Sequence, residues 1–311
     1  MIRGLYTAAS GMMTQQRKHD TITNNIANVQ TPGYKEQNAV SRSFPEVLIH
    51  LLRDNAQPGQ SSIGRMHNGV YVEEIINQFM QGDLEETGNA TDFAIVSNIT
   101  TVDGEQYAFD ENGQAVTADG ELVIQPQAFF TVLNEAGEER YTRNGKFVLG
   151  SGGELMTADG YQVAGANGEP IVLQNAAGIG LSMDQIKLGA GGVLMADQDP
   201  LDGSTEQLQP IIDANGEPAR LFISQINNPH MLVREGNGVY ALSGADENPP
   251  QEVQDFTQVQ VLQGYMERSN VDSAQAMVDM MAAVRAYEAN QKVIQYMDSS
   301  LGKAVNDVGR I

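Results

Sequence analysis

The sequence predicts an α+β fold in which long N- and C-terminal helices pair as a coiled coil beside a central all-β body. Apolar residues recur every three or four positions at both ends of the 311-residue chain, which is the spacing of one helix face. Between the ends, short runs of Val, Ile, Leu and Phe alternate with turn sequences, and the chain contains 32 glycines. This alternation is typical of β-structure.

Four segments are expected along the chain. They are an N-terminal helix within 1–35, a connector over 36–70, an acidic β-rich domain over 71–243 with an insertion at about 97–127, and a connector with the C-terminal helix over 244–311.

The N-terminal helix is predicted over 2–30. Its stripe follows the three-four spacing of a coiled-coil heptad and consists of Ile2, Leu5, Ala9, Met12, Gln16, His19, Thr23 and Ile26. Pro32 cannot continue a helix, and Pro32-Gly33 suits a tight turn. The nearby amides of Asn24, Asn25 and Asn28 leave two alternatives, a fraying helix end or a side-chain network that fixes the turn.

The connector contains an apolar run that could form two to three helical turns over 44–53. Its side chains on one face would be Phe44, Val47, Leu48, Leu51 and Leu52. A loop is expected over 57–64, and a strand begins near Gly69. In the β-body, the turn sequence at 167–170 recurs at 215–218, which indicates reused hairpins and not a solenoid because the period is not sustained.

The C-terminal helix is predicted over 271–308. Ser269-Asn270 offers N-cap chemistry, with Asp272 in the first turn. Its apolar stripe consists of Met277, Met281, Val284, Tyr287, Ile294, Met297, Leu301, Val305 and Val308. Such a helix is about 50 Å long, and its single stripe needs a partner. The N-terminal helix, or another subunit, can supply that partner.

Charge and composition exclude several function classes. Residues 55–263 carry seven Lys or Arg against thirty Asp or Glu, which argues against binding nucleic acid or an anionic membrane. The absence of Cys excludes thiol catalysis, disulfides and Cys-ligated zinc. No run of eighteen apolar residues exists, so no membrane insertion is expected. The first residues lack the apolar core of a signal peptide, so any export should need no cleaved leader.

The sequence offers no catalytic, cofactor-binding or metal site, and an enzyme is not predicted. It lacks a phosphate-binding loop of the Gly-x-x-x-x-Gly-Lys type. The four His are not placed at zinc-site spacing. The acidic run at 197–203 is the best calcium-like cluster, but it departs from the EF-hand pattern.

Two signatures carry a resemblance to a known family. Residues 24–35, Asn-Asn-Ile-Ala-Asn-Val-Gln-Thr-Pro-Gly-Tyr-Lys, resemble the opening signature of the bacterial flagellar rod and hook family of axial proteins. Residues 269–271, 277–278 and 285–290 resemble its closing signature, with a departure at Ala283-Val284. Segments 81–88, 92–95, 140–147 and 157–161 resemble the distal rod and hook-basal-body branch, from which the insertion departs.

The resemblance implies a structural subunit that polymerises through its terminal helices. It implies export by the flagellar export apparatus, assembly with copies of itself and with other flagellar rod and hook subunits, and a location in the flagellar basal body. In that arrangement the terminal helices line an inner tube and the acidic body faces outward. The expected assembly interface consists of Leu5, Ala9, Met12, Asn24, Asn25, Ile26, Asn28, Pro32, Gly33, Tyr34, Asn270, Met277, Met281, Arg285, Tyr287, Glu288, Asn290, Ile294 and Leu301.

Two other function classes stay open on the residues alone. A secreted cell-wall-acting enzyme could use a pair of the many carboxylates. An acidic β-domain could instead bind carbohydrate or calcium, with its helices serving only to oligomerise. The enzyme predicts turnover of cell-wall substrate that a single Asp or Glu change abolishes, and the binding domain predicts a ligand-dependent thermal shift and a closed oligomer. Head-to-tail contacts that do not close instead produce a filament.

Overall fold

A computed structural model describes residues 2–50, 62–102, 105–110, 113–117, 120–174, 180–197, 208–213, 216–243, 249–253 and 256–308 of the chain. The chain forms two compact units. Unit 1 consists of Met1–Ala27, Gln37–Asn77 and Val271–Ile311, and unit 2 consists of Asn28–Glu36 and Gln78–Asn270.

Unit 1 combines two long helices with two antiparallel strand pairs. The helices are α1 (Ile2–Ala27) and α2 (Ser273–Lys303), which is followed by a π-helical turn at Ala304–Val308. Strand β1 pairs with β4 and β2 pairs with β3, with bounds β1 (Gln37–Ser43), β2 (Val47–His50), β3 (Ser62–Met66) and β4 (Val70–Asn77).

The predicted helix over 44–53 is wrong, because Val47–His50 forms a strand. The run Val47-Leu48-Ile49 is apolar at every position, so its pattern fits a buried strand as well as a helix. Two of its three residues are β-branched, which favours the strand. Residues 51–53 lie outside the described residues.

The two helices end and begin close to where the sequence predicts. Helix α1 ends at Ala27, three residues early, and a turn follows in which the Thr31 backbone N–H donates to the Asn28 carbonyl at 3.0 Å. Helix α2 is capped by Asp272, whose carboxylate accepts from the backbone N–H groups of Ala274 at 2.8 Å and Gln275 at 3.1 Å. Asp272, and not the predicted Ser269-Asn270, is therefore the N-cap.

Unit 2 is the β-body. Its central strand, β11, pairs antiparallel with β12, β15 and β19 in a nine-stranded sheet. The strands are β5 (Leu84–Glu86), β6 (Phe93–Ser97), β7 (Thr101–Val102), β8 (Glu105–Gln106), β9 (Gln114–Val116), β10 (Leu122–Ile124), β11 (Gln127–Leu133), β12 (Glu139–Thr142), β13 (Phe147–Leu149), β14 (Leu155–Thr157), β15 (Gln162–Val163), β16 (Ile186–Leu188), β17 (Leu194–Asp197), β18 (Leu208–Pro210), β19 (Ile223–Ile226), β20 (Leu232–Gly236), β21 (Val239–Leu242), β22 (Gln251–Glu252), β23 (Val259–Gln263) and β24 (Tyr265–Glu267).

The core of unit 2 lies on both faces of β11, all seven residues of which are buried. Phe147 packs against Phe93 and Phe130 on one face, with ring centroids 5.6 and 5.2 Å apart. Phe129 packs against Tyr240 on the other. Continuous burial of both faces explains why β11 is apolar at five of its seven positions and shows no alternation of apolar and polar residues.

In the described part of 97–127, strand β7 pairs antiparallel with β8 and β9 pairs antiparallel with β10, where the sequence predicts one inserted hairpin. The pairing of β9 with β10 leaves two apolar side chains, Val116 and Leu122, exposed as a cross-strand pair.

Candidate assembly interface

Helices α1 and α2 pack against each other in unit 1. Gly4 lies against Met297, and Gly11 lies against Asn290, whose Nδ2 is 2.9 Å from the place a Cβ would occupy on Gly11. Because the earlier residue of α1 meets the later residue of α2, the two helices run antiparallel.

The contact between the helices is built from small residues. Ala8 and Gly11 are buried on α1, and Ala276 and Ala283 are buried on α2. On α1 the buried stripe is displaced by one residue from the stripe of large apolar residues. Small residues on one helix leave room for larger side chains of the other, as Gly11 does for Asn290.

The predicted interface residues of the helices fall into two groups. Half-buried residues at or beside the helix contact are Leu5, Ala9, Met12, Ile26, Tyr287, Asn290, Ile294 and Leu301. Exposed residues are Asn24, Met277, Met281, Arg285 and Glu288. The second group lies on the outside of the helix pair.

The outer faces of the helices carry large apolar side chains in contact with solvent. Tyr6 is 67% exposed and Met13 is 70% exposed on α1, while Met277 and Met281 are 56% and 55% exposed on α2. Other exposed residues on α2 and after it are Val278, Val284, Val293, Tyr296 and Val305. A contiguous apolar patch formed by such side chains would mark a protein-protein interface.

A further side of α1 is fixed to the strands of unit 1. The Thr14 hydroxyl donates to the Val70 carbonyl at 3.3 Å, and the Val70 N–H donates to the Ser10 hydroxyl at 3.3 Å. Asn25, which is 2% exposed, donates from Nδ2 to the Gln37 carbonyl at 2.8 Å and accepts from the Gln37 N–H at 3.0 Å. Asn25 is thus part of a side-chain network, the second of the two alternatives for this helix end.

The predicted residues that follow α1 and precede α2 make contacts inside unit 2. Pro32 and Asn28 are half-buried, while Gly33 and Tyr34 are buried. The Gly33 N–H donates to the Glu267 carbonyl at 2.8 Å. Asn270 accepts from the Glu36 N–H at 2.7 Å and donates to the Gln78 carbonyl at 2.9 Å. The Gly33 backbone and the Asn270 side chain thus hold these chain segments together within unit 2.

Sequence reasoning missed a buried ion cluster next to this junction. Lys35 Nζ lies 2.7 Å from Glu267 Oε1, and Arg143 Nε lies 3.1 Å from Glu267 Oε2. Lys35 also donates to the Met80 carbonyl at 2.6 Å, and the Gly82 N–H donates to Glu267 at 3.0 Å. All three charged side chains are at most 1% exposed.

Burial controls the protonation of the cluster. It lowers the pKa of Lys35 to about 8, against the attraction of Glu267. Burial alone would raise the pKa of Glu267, but the charges of Arg143 and Lys35 together hold this pKa below its ordinary value. The cluster therefore contains two cations and one carboxylate at neutral pH, an arrangement that is costly unless every member stays in place.

Comparison with known proteins matches three parts of the chain to family models. Residues 5–35 match "Flagella basal body rod protein", residues 123–196 match "Flagellar hook protein FlgE/F/G D1 domain", and residues 262–307 match "Flagellar basal body rod FlgEFG protein C-terminal". The flagellar hook-basal body complex protein FlhO of Bacillus subtilis is 30% identical, with 100% of both chains covered. The chain belongs to the flagellar basal-body rod and hook family.

Other members of the family are also similar over nearly their whole length. The flagellar basal-body rod protein FlgG of Borreliella burgdorferi is 29% identical, with 98% of each chain covered. FlgG of Bacillus subtilis is 26% identical, with 98% of this chain and 99% of its own covered. The first and third family matches contain most of α1 and all of α2, so the residues of the candidate interface lie within matched parts of the chain.

Within the described part of the chain, no cluster of three or more His, Asp or Glu could hold a metal ion. Of the calcium-like run at 197–203, residues 198–203 lie outside the described residues. None of the described helices is long and apolar enough to cross a membrane.

Proposed function

We propose that this chain is a structural subunit of the flagellar basal-body rod or hook, and that it polymerises with copies of itself through its terminal helices. The observation that carries the proposal is the row of exposed apolar side chains on the helix pair, which includes Met13, Met277 and Met281. Full-length similarity to flagellar hook-basal body proteins supports the same conclusion.

In this proposal each helix has two functions. The small-residue face of α1 and the facing residues of α2 form an antiparallel coiled coil within the subunit. The outer faces, with Tyr6, Met281 and Tyr296, contact neighbouring subunits and neighbouring rod or hook proteins. Removal of these side chains from water would stabilise the assembly by about 25 cal/mol per Å² of apolar area.

The cluster around Lys35 and Glu267 has a supporting function in the proposal. It fixes the segments that lead out of α1 and into α2 to the β-body, so that each subunit enters the assembly with the same internal structure. We also propose that the chain reaches the growing structure through the flagellar export apparatus. A catalytic or cofactor-dependent activity is not part of the proposal.

Electron microscopy of the purified full-length chain, concentrated stepwise, tests this function. Tubular or fibrous polymers are expected. A monodisperse closed oligomer at every concentration would contradict the proposal and favour an enzyme or a ligand-binding β-domain. Assays of cell-wall hydrolysis and calcium-dependent thermal shift on the same sample separate those two alternatives.

A further inference from the structure

Two glycines lie inside α1, where glycine is an unfavourable helix residue. Gly4 and Gly11 are seven residues apart, and both face α2. Their partners on α2, Met297 and Asn290, are also seven residues apart. Packing can require a glycine inside a helix, and here it is required by the space that each partner side chain occupies.

The space at both glycines is already filled. A Cβ on Gly11 would lie 2.9 Å from Asn290 Nδ2 and 3.3 Å from its Cγ. A Cβ on Gly4 would lie 3.2 Å from Met297 Sδ and still closer to its terminal methyl group. Any larger residue at position 11 would have to displace a branched, half-buried amide.

We propose that Gly4 and Gly11 are two sockets that receive Met297 and Asn290, and that this pairing sets the register of the terminal helices. The register would decide which apolar side chains the helix pair presents on its outer face. The inference deepens the proposed function, but its tests use the pairing within one chain and not the formation of polymers.

Extending this offset along the helices by seven and fourteen residues pairs position 18 with Ala283 and position 25 with Ala276, so that large and small residues alternate between the two helices. Ala283 and Ala276 are 5% and 6% exposed, and Asn25 is 2% exposed. Near the start of α1 the small residue of each facing pair is on α1, at Gly4 and Gly11. Near the start of α2 it is on α2, at Ala276 and Ala283. Each facing pair therefore contains one small and one large side chain.

A slip of one heptad in either direction destroys this alternation. In one direction Asn290 would meet Lys18, which places two long polar side chains in one layer. In the other direction Gly11 would meet Ala283, which leaves a gap. Overpacking and cavities both destabilise a packed contact, so the observed register is the one that fills the space.

Engineered cysteine pairs test the register directly, because the chain has no cysteine of its own. In the full-length chain under oxidising conditions, most of the Gly11→Cys/Asn290→Cys variant should form an intrachain disulfide, seen as faster migration on a non-reducing gel. The controls are Gly11→Cys/Ala283→Cys and Gly11→Cys/Met297→Cys, in which the α2 residue is displaced by one heptad, about 10 Å. They should stay reduced.

A displaced pair that oxidises as well as the matched pair, or a matched pair that forms no intrachain disulfide, would overturn the proposal. Loss of polymers with the expected disulfide pattern would overturn only the proposed function.

A second measurement tests the sockets without a crosslink. Helix propensity alone favours Gly11→Ala, yet we expect this variant to lower the melting temperature followed by circular dichroism at 222 nm. Adding Asn290→Ala should restore it, because the amide no longer occupies the socket. Gly302→Ala is the matched control in α2, since nothing lies within 4 Å of its Cβ position. If Gly11→Ala stabilised the chain as much as Gly302→Ala, the proposal that Asn290 occupies the space at Gly11 would be wrong.

Discussion

Lys35 donates a 2.7 Å hydrogen bond to Glu267 across 232 positions of sequence, and both side chains are 1% exposed. Lys35 lies shortly after α1 and Glu267 shortly before α2. The third member, Arg143, follows β12 in the body. The cluster therefore ties the segments around Lys35 and Glu267 to the β-body inside unit 2, and it makes the stability of that unit depend on a few identifiable groups.

The first prediction concerns pH. The pKa of Lys35 is about 8 in the folded chain against 10.5 for an ordinary lysine. Between these values the unfolded chain binds the proton and the folded chain does not, so the free energy of unfolding rises with pH. The gain should be about 2 kcal/mol from pH 7.5 to 9.5, measured by urea denaturation.

The Lys35→Met variant is the control for this pH dependence and should show a nearly flat profile over the same range. Above about pH 10 the trend reverses, because burial raises the pKa of Tyr240 to about 12 and the unfolded chain ionises first. A wild-type free energy of unfolding that falls between pH 7.5 and 9.5 would contradict the lowered pKa of Lys35.

The second prediction concerns the carboxylate. Glu267→Gln leaves the cations of Lys35 and Arg143 buried without a counter-charge, and we expect it to destabilise unit 2 by about 3–5 kcal/mol. Glu85→Gln is the matched control, because the Glu85–Arg268 pair is more than half exposed at 3.7 Å and should contribute less than about 1 kcal/mol. Equal denaturation midpoints for the two variants would show that the buried cluster contributes no more to the free energy of unfolding than an exposed ion pair.

The third prediction concerns the turn after α1. Gly33 has φ +66°, and a Cβ there would lie 2.6 Å from the backbone carbon of Arg143. Gly88 has nearly the same φ, +67°, with nothing within 4 Å of its Cβ position. Gly88→Ala should therefore cost only the backbone strain of about 1–2 kcal/mol, and Gly33→Ala should cost clearly more. Similar losses of thermal stability in the two variants would show that contact with the Arg143 backbone does not require glycine at position 33.

The fourth prediction concerns Asn25, which pairs with both backbone groups of Gln37. Asn25→Ala removes both the acceptor for the Gln37 N–H and the donor to the Gln37 carbonyl. We expect a loss of about 1–3 kcal/mol and faster hydrogen exchange of the Gln37 amide. An unchanged exchange rate at that amide would show that the hydrogen bond does not persist in solution.

Long periodic elements could be predicted from the sequence, and contacts between distant residues could not. The helices were predicted to within a few residues because each has many turns of consistent spacing. The strand at Val47–His50 was missed because a short run of only apolar residues fits both periods. The residues that form the helix contact on α1 lie one position away from the predicted stripe. Periodicity identifies large apolar side chains, whereas the contact is formed by Gly and Ala. The signatures quoted for the family contain Lys35 and Arg143, but nothing in a single sequence connects either residue with Glu267.

The central claim, that the outer face of the helix pair is the assembly surface, is tested most directly by Met281→Asp. Burying this unpaired charge between subunits would cost several kcal/mol. Met281→Leu, which keeps an apolar side chain of similar volume, is the control. The measurement is sedimentation of concentrated full-length protein, followed by electron microscopy of the pellet and thermal unfolding of the supernatant. We predict polymers for the wild type and Met281→Leu, and folded protein that stays in the supernatant for Met281→Asp. If Met281→Asp formed polymers in wild-type amounts, the outer face of the helix pair around Met281 would not be the assembly surface.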